Sequence, residues 1–186
     1  MNKISIRNSR WALIGLEDLI RYIKVNSKIS TKEMTMVEIG SYVGDSTKIF
    51  AENFKLVISI DPFINGYDDK DSSSFTYSMD VVYKQFKKEI LDKYSNVQHL
   101  KIMSIEGSKF FVGKEIFDFV YIDGNHQFNS VQLDIQIWLP KIKSEGWIGG
   151  HDYANKNAPE VKKVVDNIFI TPERIFKDTS WIKKLN

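Results

Sequence analysis

The chain has 186 residues, 42% hydrophobic and 13% aromatic, a size that suits one domain with a substantial core. Its 26 Lys and Arg against 24 Asp and Glu leave a formal charge of +2, with the lysines scattered, so no nucleic-acid partner is expected. The absence of cysteine excludes disulfides, thiolate metal sites and a Cys nucleophile. The N-terminal MNKISIRNSRW has no hydrophobic signal-like core and no run approaches the roughly 18 apolar residues of a membrane span, so a cytoplasmic protein without a membrane partner is expected.

Leu13, Leu16, Ile20 and Ile23 share one helical stripe, with Arg10, Asp18, Arg21 and Lys24 elsewhere, so residues 10–24 read as an amphipathic helix within an N-terminal helical cap over residues 1–33. Such a helix packs on the domain edge or covers a cleft; an exposed apolar face on it would point to a homodimer. Thr35 to Ile39 and Leu56 to Ile60 read as strands, and Ser46 to Phe54 between them leaves room for a short crossover helix. The stretch from Pro62 to Ser78 is polar and aperiodic, and is expected to form a long loop that closes as a lid.

Met79, Val82, Phe86 and Ile90 form the next helical stripe, followed by a strand over Val97 to Met103. Phe117 to Ile122 is apolar apart from Asp118, the pattern of a central parallel strand buried on both faces. Val131, Ile135, Trp138 and Ile142 then follow helical spacing, with Asn129 or Ser130 as N-cap. Gly146 to Gly150 reads as a strand edge leading into His151, Asp152 and Tyr153. A helix near Pro159 to Ile168 and a closing hairpin of Arg174 to Lys177 with Trp181 to Lys184 complete the chain.

Two of these strands run straight into turns that carry glycine and a carboxylate: VEIGSYVGDST (Val37 to Thr47) and FDFVYIDGNHQF (Phe117 to Phe128). In open α/β sheets, ligands bind outside the carboxyl ends of the strands, where the strand order reverses. The first turn has the form E-x-G-x-Y-x-G. Tyr42 stands where the dinucleotide fingerprint places a glycine for approach to a pyrophosphate, which argues against NAD or FAD. Gly40 supplies a turn, Gly44 a close passage, and Asp45, Ser46 and Thr47 caps for the next helix. Glu38 suits a cationic ligand, and Asp61, about 20 residues beyond Gly40, is placed to accept ribose hydroxyls. The combination fits a nucleoside without phosphates; the plainer reading is a tight strand-to-helix turn and a polar strand end.

These segments resemble the class I S-adenosylmethionine (SAM)-dependent methyltransferases, in particular a small group with VEIGSxxGxST at the first loop, IDGxHxY after the fourth strand and GGxxxGHDY at the fifth. Here they read VEIGSYVGDST, IDGNHQF and GWIGGHDY, in the same order within residues 35–155. Phe128 stands where Tyr is usual, and Gly146-Trp147 where Gly-Gly is commoner. The resemblance implies a single α/β domain over residues 1–186, Rossmann-like and doubly wound, with a mostly parallel seven-stranded sheet and a C-terminal antiparallel hairpin. It also implies SAM as cofactor, wrapped by Glu38, Gly40, Ser41, Tyr42 and Gly44 with Ser46 beside them. Asp61 would hold the ribose, Ser104 and Ile105 would flank the adenine, and Asp123 would face the cofactor from the second turn.

Methyl transfer from a sulfonium is an in-line displacement, so the protein must align donor and acceptor and, for a hydroxyl acceptor, remove its proton. Asp123 and His126 lie where the reactive methyl is expected, and His126 is the natural general base because imidazole titrates near neutral pH. The related metal-dependent O-methyltransferases usually carry a Lys base. Asp123, His151 and Asp152, at the ends of neighbouring strands, would converge on one cation, the oxygens favouring Mg²⁺ or Mn²⁺ and the histidine drawing toward Mn²⁺. The plain alternative is that Asp123 serves only the cofactor or a backbone turn and that His151 is a packed histidine. His99 reads as structural, and Trp11, Trp138, Trp147 and Tyr153 as core or lid aromatics. The expected function is SAM-dependent methylation of a hydroxyl on a small molecule or sugar, assisted by a divalent metal. The alternatives are a non-catalytic SAM-binding module acting through a partner, and a nucleotide-cofactor oxidoreductase, which Tyr42 disfavours.

Overall fold

The computed structural model describes Ile4, residues 10–69 and residues 71–186; the side chains of residues 10–13, Trp11 and Leu13 among them, lie outside the described set. The first half of the chain runs α1 (Arg10–Asn26), β1 (Thr35–Ile39), α2 (Asp45–Asn53), β2 (Leu56–Ile60), α3 (Ser73–Thr76), α4 (Met79–Phe86) and β3 (Val97–Leu100). The second half runs α5 (Ser104–Phe110), β4 (Phe117–Ile122), α6 (Phe128–Trp138), β5 (Ile142–Gly150), α7 (Pro159–Phe169), β6 (Arg174–Ile175) and β7 (Trp181–Lys184).

The seven strands form one sheet in the order β3-β2-β1-β4-β5-β7-β6. Strands β1 to β5 run parallel to one another, whereas β7 is antiparallel to both β5 and β6. This is the expected mostly parallel, Rossmann-like sheet with its antiparallel C-terminal strands. The strand order reverses between β1 and β4, so the turns that follow those two strands open side by side at the carboxyl edge.

Strand β4 is buried at all six positions, because helices cover both faces of the sheet. Phe119 and Tyr121 point into a core layer with Leu16 and Leu19 of α1, Phe50 of α2 and Phe86 of α4. Phe117, Val120 and Ile122 point the other way, into a layer with Ile135 and Trp138 of α6 and Val164 of α7. Each such side chain contributes about 1.5–3 kcal/mol through burial. Leu16, Leu19, Ile20 and Ile23 are at most 2% exposed, so these four residues of α1 are spent on the protein's own core.

Asp118, the one charged residue in β4, has a structural role. Its carboxylate accepts the Thr35 backbone N–H at 2.8 Å, at the first residue of β1, and pairs with Lys143 Nζ at 2.7 Å. A buried carboxylate is tolerated when its oxygens are bonded in this way.

Several boundaries differ from the sequence reading for local reasons. Helix α6 starts at Phe128 with Gln127, not Asn129 or Ser130, at the N-cap, because Asn125 Oδ1 takes the Gln127 N–H and turns the chain two residues earlier. It stops at Trp138, since Pro140 lies in the next turn and cannot donate a helical hydrogen bond, and Ile142 instead begins β5. Strand β3 ends at Leu100 because Met103 already caps α5, a helix the sequence reading did not anticipate. β5 is a nine-residue strand between β4 and β7, not an edge fragment. Among the described residues, no helix is long and apolar enough to cross a membrane.

Replacing Asp118 by Ala leaves the Thr35 N–H without its acceptor and is expected to cost about 1–3 kcal/mol in urea unfolding. Asp118→Asn, which keeps an acceptor oxygen, is expected to cost less than half of that.

Candidate active site

The two turns singled out in the sequence are in van der Waals contact. Asp123 N–H donates to Ile39 O at 2.8 Å and Gly40 N–H to Ile60 O at 2.9 Å, which continues the sheet ladder into both turns. Gly40 has φ +84°, and a Cβ there would lie 2.0 Å from the Asp123 carbonyl oxygen. On the other flank, His151 N–H donates to Ile122 O at 3.1 Å, and a Cβ on Gly150 would lie 2.4 Å from that same oxygen. Glycine at these two strand ends is what lets β1, β4 and β5 deliver their last residues to one place.

A cleft of about 260 Å³ opens over this place. Of the residues expected to hold a cofactor, Gly40, Ser41, Tyr42, Ser46, Asp61, Ser104 and Asp123 line it. Asp61 braces the first turn: its Oδ2 accepts the backbone N–H groups of Ser41 and Tyr42 at 2.9 Å each, and its Oδ1 accepts that of Phe63 at 2.8 Å. Burial raises its pKa, against the pull of those donors and of Lys101. With three of about four lone-pair positions used, the carboxylate keeps one for a ligand hydroxyl. The same bonds hold Tyr42 in the left-handed region, φ 47°, where a side chain is ordinarily strained.

Three expected cofactor residues do not line the cleft, each for a visible reason. Glu38 is fully buried beneath the turn, accepting the hydroxyls of Ser46 at 2.5 Å and Thr47 at 2.6 Å, and so ties the start of α2 to β1. Gly44, φ +90°, makes room for Ile90 rather than for a ligand. Ile105 is on the outer side of α5 and exposed. Ser104 does face the cleft, yet its hydroxyl already accepts from Trp138 Nε1 at 2.9 Å and bonds Asp134, whose pKa burial pushes up to about 6.

The second half of the cleft is built around His126. Its Nε2 lies 2.8 Å from Asp152 Oδ2 and 4.0 Å from Asp123 Oδ1, and its Nδ1 lies 2.8 Å from Asp68 Oδ2. Burial alone would lower the histidine's pKa, but the carboxylates of Asp152, Asp123 and Asp68 prevail and push it up to about 10. Surrounded by these carboxylates alone, the ring favours its charged form, unlike the imidazole titrating near neutral pH that the sequence reading expected of a base. Burial likewise works to raise Asp152, and His126 and His151 overcome it, holding that carboxyl well below the usual carboxylate range. Asp152 sits at φ 64°, a turn that aims its carboxylate back at both histidines.

Asp123, His126 and Asp152 each offer one ligand atom within 4.8 Å of the others, a donor set that could hold a metal ion. Within that set, Nε2 and the Asp152 carboxylate are a close ion pair, 2.8 Å apart. His151, expected in the metal set, stands beside it, with Nδ1 3.0 Å from Asp152 Oδ1 and 3.8 Å from Asp123 Oδ1. The set thus includes His126, which the sequence reading expected only as a base, with His151 against the same two aspartates.

The residues missed from sequence come from the stretch between β2 and α4. Tyr67 and Asp68 line the cleft, and the Tyr67 hydroxyl has its pKa pushed up to about 12 by burial and by Asp134, Asp61 and Asp68, so it stays a donor. Asp68 is 2% exposed, although it belongs to the acidic run YDDKD, whose composition reads as solvated loop. No periodic signal marks it. His99, away from the reactive end, has its pKa lowered to about 4, chiefly by burial, among Phe63, Tyr83 and Phe86.

Residues 37–153 match a family described as a methyltransferase domain, and the chain belongs to that family. An uncharacterized protein, R132, of Acanthamoeba polyphaga mimivirus is 27% identical over 142 residues, 73% of this chain and 59% of that protein. The chain therefore spans less than two thirds of the curated relative it matches. In fold it is similar to the N-methyltransferase NodS from Bradyrhizobium japonicum WM9 in complex with S-adenosyl-L-homocysteine, with TM-score 0.63 and 11% identity over 97% of this chain and 90% of that one. It is also similar to an rRNA methylase from Streptococcus thermophilus, with TM-score 0.60 and 11% identity over 96% and 99% of the two chains. Cofactor-bound Rv0187 from MTB gives TM-score 0.61 and 12% identity over 98% and 81%. At these identities the likeness to the solved structures is one of fold.

Gly40→Ala is expected to destabilise the protein by about 1–3 kcal/mol through the strained backbone and the clash with Asp123, read as a lower urea midpoint at unchanged slope.

Proposed function

We propose that this protein is a SAM-dependent methyltransferase acting on a hydroxyl of a small molecule or sugar, with a divalent cation at Asp123, His126 and Asp152. The observation that carries the reading is the placement of that donor set in the same cleft as the Gly40 to Tyr42 turn. Among the described residues, Asp45, Asp61, Asp68, Asp71, Asp123 and Asp152 line the cleft and no Lys or Arg does. Such a wall suits a sulfonium and a metal ion and repels phosphates, which weighs against a dinucleotide. The ordered cluster around His126 supports catalysis over a non-catalytic SAM-binding module.

Gly40, Ser41, Tyr42, Asp61 and Ser104 would hold the cofactor, whose sulfonium supplies an electrophilic methyl group. Asp123 and Asp152 would hold the cation through oxygen and His126 through Nε2, a set that favours Mg²⁺ or Mn²⁺. The cation, when bound, supplies the charge that lowers an acceptor hydroxyl's pKa. Orientation of the acceptor then falls to the side chains around Asp123, and exclusion of water to the segment carrying Tyr67 and Asp68.

Calorimetry should show binding of SAM and S-adenosylhomocysteine and none of NAD(P)H. In a methyl-transfer screen over hydroxyl-bearing sugars and catechol-like compounds, chelation is expected to lower turnover at least tenfold, with recovery on adding Mn²⁺ or Mg²⁺. Turnover undiminished after exhaustive chelation would remove the cation from the mechanism.

A further inference from the structure

Asp68 belongs to a segment that is polar along most of its length, yet its carboxylate is almost completely withdrawn from water. Withdrawal is costly for a carboxylate unless strong donors meet it, and two donors that meet its Oδ2 come from one residue. The backbone N–H of His126 lies 2.8 Å away and the ring Nδ1 of the same residue 2.8 Å away. Two donors of one residue on one oxygen fix the imidazole's torsion as well as its position. The ring cannot turn over without losing the Nδ1 bond, so Nε2 is left facing Asp152 and Asp123.

The neighbours on either side repeat the contact in register. Asn125 Nδ2 donates to Tyr67 O at 2.7 Å, and Gln127 Nε2 donates to Asp69 Oδ1 at 2.7 Å. Residues 125, 126 and 127 thus meet residues 67, 68 and 69 one for one. A slip by one residue would break all three contacts together.

From this geometry we propose that Asp68 is the positioning residue of the reactive cluster: docking of the segment between β2 and α4 presents Nε2 of His126 as a ligand atom to a divalent cation. The proposal rests on the cation reading above. Asp68 acts through His126, as the outer-shell partners of metal-bound histidines do, whose loss typically weakens metal affinity 10- to 100-fold.

The test compares wild type, Asp68→Ala and Asp68→Asn, each checked for a cooperative urea transition. Mn²⁺ affinity is read by electron paramagnetic resonance, and the His126 ring N–H proton by NMR in metal-free protein, assigned by its loss in His126→Gln. Expected are a downfield, exchange-protected Nδ1–H resonance in wild type that disappears in Asp68→Ala, and a 10- to 100-fold weaker Mn²⁺ affinity for that variant. Asp68→Asn, which keeps one acceptor oxygen, should lose about three- to tenfold, and it carries the test should the Ala variant not fold. A merely structural role would lower the urea midpoint and leave the Mn²⁺ affinity of the folded variants unchanged. That result, or persistence of the ring resonance in Asp68→Ala, overturns the proposal. If wild type binds no Mn²⁺, the cation reading fails and the ring resonance alone decides the role of Asp68.

Discussion

The Cα of Gly40 lies against the carbonyl of Asp123 with no room for even a methyl group between them. That contact joins the turn after β1 to the turn after β4 at the point where the strand order reverses. Asp61 locks it from one side, by taking the N–H groups of Ser41 and Tyr42, and the β4 to β5 ladder locks it from the other, through His151 N–H on Ile122 O. A larger residue at position 40 would separate the half of the cleft carrying Ser41 and Tyr42 from the half carrying Asp123 and His126. The close approach therefore constrains the chemistry as much as the fold.

Around that point the protein has gathered carboxylates rather than dispersed them. Like charges at short range oppose one another, and each buried one loses hydration. His126 is the compensating group, with Asp68 on one nitrogen and Asp152 and Asp123 on the other. A cluster with this excess of negative charge is suited to a ligand with positive charge, and it explains why one histidine so strongly favours its charged form when only protein groups surround it. The buried carboxylates outside the cleft follow a different rule. Glu38 and Asp118 spend their oxygens on hydroxyls, on a backbone N–H and on Lys143, and serve to join a helix or a strand start to the sheet.

Much of the fold was legible because apolar periodicity is written locally. The strands β1, β2 and β4, the helix α4 and the closing strand β7 follow directly from runs and spacings of side chains, whereas β6 keeps only Arg174 and Ile175 of the four residues expected. The boundaries that moved were set by single hydrogen-bonding groups, such as Asn125 ahead of α6, or by Pro140 behind it. Helix α5 escaped because its seven residues contain Gly107 and two serines, too few apolar positions to show a period. In the site, the residues at the ends of β1, β2, β4 and β5 could be read, since a strand end at the switch point is a site whatever its neighbours are.

The sequence by itself therefore determined the class of fold, the two turns and the chemistry-bearing residues upon them, because each of these depends on the residue types within a few positions. Only the tertiary structure decided that Glu38 lies beneath the cleft, that His126 is held between carboxylates, and that Asp68 reaches it from 58 residues away. Those facts depend on which charges are brought together out of water. That is a property of the folded chain's packing, and no local pattern of residues records it.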